Sequence, residues 1–280
     1  MILLGERRRH LRPGQAVAFE SVGSRIEMCP GARWPEMVGL LRALPDGELG
    51  PECLMSEHFL LEEEGRLQVY WIPFERLNPA ARIAIIGLTP GWHQMQLAFT
   101  AARDAFHAGM ADELLALEYI GRQAGFAGSL RTNMIKMLDA IGLPAALGVQ
   151  TSAELFQQRD DLIHGTSALR YPVFVAGKNY GGAHPRLERS AMLTRFVHEQ
   201  LAAELAAIPD ALVLPLGKAV EGCLRMLIAT AQLQEARCLF GFPHPSGANA
   251  HRADQFRRNE VTLRADIARW SAEIARPPTS

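Results

Sequence analysis

A histidine set between two prolines, Pro243-His244-Pro245, and followed by Ser246 is the most chemically suggestive stretch of the sequence. Each proline ring fixes its own φ and restricts the residue before it, so His244 sits on a stiff backbone suited to aiming one hydrogen bond. A surface turn histidine has the same local sequence. Other polar side chains stand just after short apolar runs: Thr89 in Gly87-Leu88-Thr89-Pro90-Gly91, Lys178-Asn179-Tyr180 after YPVFVA, and Lys218 after Gly217. Asn249, His251 and Arg252 follow Ser246. A rigidly held donor of this kind suits stabilisation of negative charge on a departing group.

The elements that position these residues are legible as period and punctuation. Residues 82–86, 171–176, 211–216 and 237–240 are apolar runs too short for helices, and each ends at or next to a glycine. Helical periodicity fills the intervals at 96–108, 110–123, 129–143, 186–208 and 219–231, and returns at 254–275. Leu130, Met134, Met137, Leu138 and Ile141 form one apolar stripe closed by Gly142, which reads as core. Short strands alternating with helices predict an α/β fold, a three-layer α/β/α sandwich around a short four-stranded parallel sheet. Right-handed crossovers bring the carboxyl ends of its strands to one edge, where α/β proteins bind ligands. Residues 1–73 read as an N-terminal extension packed on the core, with a helix at 34–44 and a strand pair at 59–61 and 67–72 around Glu64-Gly65. Residues 74–280 form the α/β domain.

Composition excludes several classes. Net charge is −1, so no global basic field draws in nucleic acid. The basic run at 6–12 reads as a solvated arm. The four cysteines, Cys29, Cys53, Cys223 and Cys238, contain no C-x-x-C pair, so no metal or iron–sulfur cluster is expected. No apolar run approaches the roughly 18 residues of a membrane span. The N-terminus has its apolar residues before its charges, the reverse of a secretory signal, and a cytoplasmic location is the default expectation. GLTPG lacks the G-x-G-x-x-G spacing of a dinucleotide site, and no cofactor is expected.

GLTPG after a strand, GFAGSLRTNMIKMLDAIGL, the PLG turn and HPSGAN after the last strand occur in this order, and together they resemble the uracil-DNA glycosylase superfamily. The resemblance covers residues 74–258. It implies that His244 hydrogen-bonds uracil O2, that Phe126 stacks on the extruded base and that Asn179 reads the base's amide edge. Gly87 and Pro90 match the frame of the first motif, and Ser246 belongs to the second. Thr89 stands where active families often carry Asp or Asn; its hydroxyl can hold a water but is no base.

The activity so implied is hydrolysis of the N-glycosidic bond of uracil or another deaminated base in single- or double-stranded DNA. His244 and Thr89 are the candidate catalytic residues; Gly87, Pro90, Phe126, Asn179 and Ser246 are candidate base contacts. Lys178, Lys218, Asn249, His251 and Arg252 are candidate contacts to the DNA backbone. Two other readings stay open: a nucleic-acid or nucleotide binder that has lost catalysis at Thr89, and a hydrolase of free nucleosides or nucleotides.

Overall fold

A computed structural model describes residues 26–274; the basic run at 6–12 lies outside them. A three-stranded parallel sheet forms the centre, with Ile83–Gly87 between Ile163–Ser167 and Leu212–Pro215. Both faces of this sheet are covered. Ala84, Ile86 and Val213 point into a cluster with Met95, Phe99, Leu205 and Leu224. Their neighbours Ile83, Ile85, Leu212 and Leu214 point the other way, onto Met134, Leu138, Leu263 and Ile267. Burial on both faces is why Ile83–Gly87 reads as an unbroken apolar run rather than an alternating one.

The sheet departs from expectation at two of its four strands. Residues 237–240 contribute a single bridge, Val213 to Cys238, before Gly241 (φ 92°) turns the chain away. Residues 171–176 do not enter the parallel sheet at all. Val173–Val175 lies in a four-stranded antiparallel sheet, ordered Leu60–Glu64, Leu67–Tyr70, Val173–Val175, Lys178–Asn179. An apolar run that short suits a buried strand in either sheet, and only tertiary pairing chooses. The missing parallel strand is Ile163–Ser167, IHGTS, with one strongly apolar residue.

That polar strand is stabilised from a distance. His164 is buried, and its Nε2 lies 3.1 Å from Glu204 Oε2. The same carboxylate accepts from Arg170 Nε, and the Arg170 guanidinium also donates to Pro30 O at 3.2 Å. Burial alone would push the Glu204 carboxyl up; Arg170 and then His164 reverse this and hold it at about 2. A second buried carboxylate, Glu75, accepts from Arg33 N at 2.8 Å, from Trp71 Nε1 at 3.1 Å and from the Tyr171 hydroxyl.

The described part of the extension shares the core with the rest. Helix Trp34–Arg42 buries Trp34 and Leu41 in the same cluster as Phe99, and Phe59 meets Phe99 edge-on with ring centroids 4.7 Å apart. Glu64 in the hairpin accepts from Ser190 Oγ at 2.7 Å and Met192 N at 3.1 Å, capping helix Ala191–Phe196. That cap, a turn at Leu187–Arg189 and a wide-turned π segment at Val197–Leu201 break up the single helix expected over 186–208. Elsewhere the helices follow the periodicity, as Trp92–His107, Glu113–Ala124, Ser129–Ala140, Lys218–Ala229 and Arg252–Ile274. No helix among the described residues is long and apolar enough to cross a membrane.

Glu204→Ala leaves Arg170 and His164 buried without their carboxylate, and is expected to cost roughly 3–5 kcal/mol by denaturant titration. Because the folded Glu204 carboxyl is held below its ordinary value, its contribution is complete above that value. It disappears as pH falls from the ordinary carboxylate range through about 2, and acid unfolding of wild type is expected in that window.

Candidate active site at the strand ends

The first loop leaves Ile83–Gly87 and is fastened at once by its neighbours. Ala168 N donates to Gly87 O at 2.8 Å, and Leu169 N donates to Leu88 O at 2.9 Å. Thr89 Oγ1 donates to Tyr171 O at 2.9 Å and accepts from Val173 N at 3.1 Å. Its one proton is thus committed to the backbone, and Thr89 acts as a clip between the loop and residues 171–173. Asn179 Oδ1 accepts from Trp92 N at 2.9 Å, at the start of helix Trp92–His107. Its amide nitrogen lies 3.2 Å from where a Cβ on Gly91 would stand. Asn179 is therefore drawn to the first loop, but its acceptor oxygen is taken by the helix.

Phe126 lies across the end of the sheet. A Cβ on Gly87 would stand 3.3 Å from Phe126 Cε1 and 3.2 Å from Ser167 Oγ; one on Gly165 would stand 3.0 Å from Phe126 Cε2. The ring occupies the space that the two glycines leave empty. Phe126 itself has φ +51°, a conformation that costs a bulky residue on the order of 1–3 kcal/mol. Ser167 pairs directly across from Gly87 in the parallel register. It is a site residue the sequence reading does not contain, because the strand carrying it is polar; the trace it leaves is Gly165-Thr166-Ser167 just before the apolar run at 171.

His244 rests on the third loop. Gly217 has φ +89°, and a Cβ there would stand 2.9 Å from His244 Cβ and 3.2 Å from His244 N. Gly217 N also donates to Phe242 O at 2.9 Å. Around the histidine, Asn133 Nδ2 donates to Pro245 O at 3.0 Å, Asn249 Nδ2 to His244 O at 3.1 Å, and Arg252 Nη1 to Ser246 O at 2.7 Å. Ser246 N donates to His244 Nδ1 at 3.3 Å, which places the ring proton on Nε2. Burial lowers the His244 pKa, so the ring is a neutral Nε2–H donor.

The remaining expected residues divide by exposure. Lys178, Lys218 and His251 are exposed. Asn249 and Arg252 turn inward and latch the histidine loop, while Ser246 Oγ closes a local turn by accepting from Ala248 N at 3.1 Å. The loops meet through Gly182, where a Cβ would stand 3.0 Å from Leu88 Cδ2 and 3.2 Å from Ala219 Cβ. Two cavities open along this edge. Phe126, Thr166 and Ser167 line one of about 90 Å³. His244, Lys218 and Asn249 line the other, of about 340 Å³. Among the described residues no group of His, Cys, Asp and Glu is arranged to hold a metal ion.

A parallel sheet with a histidine donor, an aromatic ring and hydroxyls near its strand ends defines an α/β protein whose candidate ligand site lies along that edge. Residues 74–268 match the uracil DNA glycosylase superfamily, and the chain belongs to that superfamily. It is also 41% identical over 224 residues to the uncharacterized protein YoxB of Bacillus subtilis (strain 168), across 79% of this chain and 87% of that protein. No solved structure matches the chain significantly.

Gly217→Ala tests how the histidine loop is held. The added methyl meets His244 at a φ that L-residues rarely adopt, so the loop must shift. The expected result is a stability loss of roughly 1–3 kcal/mol together with a changed His244 imidazole resonance. An unchanged resonance counts against the contact.

Proposed function

We propose that this protein holds an extruded nucleobase of DNA at the strand-end site and hydrolyses its N-glycosidic bond, releasing uracil or another deaminated base. The observation that carries this reading is the orientation of His244, a half-buried neutral imidazole whose Nε2–H remains available. Cleavage builds positive charge on the sugar and negative charge on the departing base. A fixed donor stabilises the base anion, and this kind of electrostatic help is commonly the largest contribution to such a reaction. Extrusion from a duplex costs a few kcal/mol, and stacking on Phe126 returns roughly 1–3 kcal/mol of it. Lys178, Lys218 and His251 are the exposed groups proposed to touch the phosphate backbone.

Thr89 enters this scheme as a positioning residue, since its hydroxyl bonds only backbone. The attacking water then lacks a general base from this loop, which typically costs on the order of 10²–10⁴ in rate. The same observation favours a second reading, a base-binding protein without turnover. Thr89→Val separates the roles. Loss of both hydrogen bonds is expected to cost roughly 1–3 kcal/mol of stability while the rate per folded molecule changes little; a rate collapse at full stability assigns Thr89 to the chemistry.

The direct test incubates the protein with uracil-, hypoxanthine- and xanthine-containing oligonucleotides and then cleaves abasic sites with alkali. Strand breaks that fall by about 10²–10³ in His244→Ala are the expected result. No breaks on any substrate overturn the glycosylase, and salt-sensitive binding without breaks establishes the second reading. The rate is expected to hold through neutral pH and fall only below the lowered His244 pKa, where a proton on Nδ1 confronts Ser246 N–H. By linkage, the stability from neutral His244 is complete above the ordinary imidazole value and lost as pH falls from that value to the lowered one.

A further inference from the structure

We propose a second reaction at this edge: Lys218 cleaves the DNA strand at an abasic site by β-elimination, through a covalent link between its amine and the sugar. The reaction goes beyond base release, and it shares with that reading only the placing of DNA along the strand ends.

Lysine is rare in this chain, standing only at 136, 178 and 218 among 29 basic residues. Arginine is the better partner for phosphate, because its planar fork bonds two oxygens at once. What lysine offers and arginine does not is a primary amine that attacks a carbonyl carbon. Of the three, only Lys218 lines either of the two cavities. It is exposed in the first turn of helix Lys218–Ala229. Among the described residues no ion pair or side-chain hydrogen bond engages its amine.

The surroundings supply the other groups such a reaction needs. His244 lines the same cavity of about 340 Å³ and packs on Gly217, the residue just before Lys218. A sugar whose base is held by His244 is therefore a near neighbour of the amine. Glu221 lies one helical turn beyond Lys218 and lines the cavity as well. Its Oε1 accepts from Gly241 N at 2.7 Å, which fixes the side chain. Among the described residues no hydrogen bond engages its Oε2.

An abasic sugar in its open form carries an aldehyde at C1′. The unprotonated Lys218 amine adds to that carbon and water leaves, giving an iminium. Loss of the C2′ proton to Glu221 turns the iminium into an enamine. The enamine expels the 3′ phosphate with the C3′–O electron pair, and the strand is cut. Water then hydrolyses the conjugated iminium, which frees Lys218 and leaves an unsaturated aldehyde on the other fragment. Nothing is oxidised or reduced overall, and no cofactor takes part.

The test incubates the full chain with an oligonucleotide that already carries an abasic site, so no base release is required. Borohydride reduces an iminium to a stable amine. A protein–DNA adduct on a denaturing gel is expected, with its attachment mapped by mass to Lys218. Without borohydride, strand breaks are expected before any alkali is added. Lys218→Arg keeps the charge and is expected to lose both adduct and breaks, whereas Lys136→Arg keeps both. In Glu221→Gln the amide oxygen still accepts from Gly241 N. There the adduct is expected to persist while the breaks slow by about 10²–10⁴.

No adduct above that of the heat-unfolded protein overturns the proposal. So does an adduct undiminished in Lys218→Arg, or one mapped to another lysine or to the amino terminus. Breaks at full rate in Glu221→Gln overturn its part as the proton acceptor. Base release with breaks only after alkali, and no adduct, sinks this inference and leaves the glycosylase reading. An adduct at Lys218 without base release from any substrate does the reverse.

Discussion

One buried carboxylate, Glu204, holds both ends of the segment on which the site's polar wall is built. Its two oxygens reach His164, inside the parallel strand, and Arg170, just past it. Between those anchors lie Gly165, Thr166 and Ser167; immediately after them comes Tyr171, whose carbonyl receives the Thr89 proton. A strand as polar as IHGTS has little hydrophobic reason to enter the centre of a fold. An enclosed ion pair supplies the reason, and its geometry is specific because leaving either partner alone is costly. The first loop, the serine opposite Gly87 and the ring of Phe126 all follow from that placement.

The sequence displays some of this and conceals the rest, for physical reasons. Ile83–Gly87 is buried on both faces, so composition alone marks it, and the helices around it are marked by their period. His244 is marked by its prolines, which act locally. The partners of Ile163–Ser167 are not local: Glu204 lies 40 residues beyond His164, and nothing in IHGTS signals it. The run at 171–176 has the composition of a buried parallel strand, yet it finds its edge on a hairpin from the extension. Thr89 is visible as a loop hydroxyl, but its two partners lie 82 and 84 residues away, and they turn it from a water-holder into a clip. Asn249 and Arg252 show the same effect, since donors that look available to phosphate are spent on the loop that carries His244.

The candidate site residues fall into two units, joined by the hydrogen bond from Asn133 to Pro245 O and by close packing of small residues. Phe126 and Ser167 sit over glycines at the sheet end, while His244 sits over Gly217, and each unit faces its own cavity. The packed link runs through Leu88, Gly182 and Ala219. Backbone approach this close is possible because side chains are absent at the crossing points, so the glycines here set distances between functional groups as much as they permit turns.

The antiparallel sheet also has a consequence for the order of assembly. The hairpin Leu60–Tyr70 closes over neighbouring residues and can form early, but its outer edge has no partner until Val173–Val175 exists, about a hundred residues of synthesis later. Thr89 waits for the same stretch of chain, because its partners Tyr171 O and Val173 N lie at or just before that strand. On a ribosome that emits the chain from its N-terminus, the first loop is made early and set late, and the extension serves as the template on which it is set.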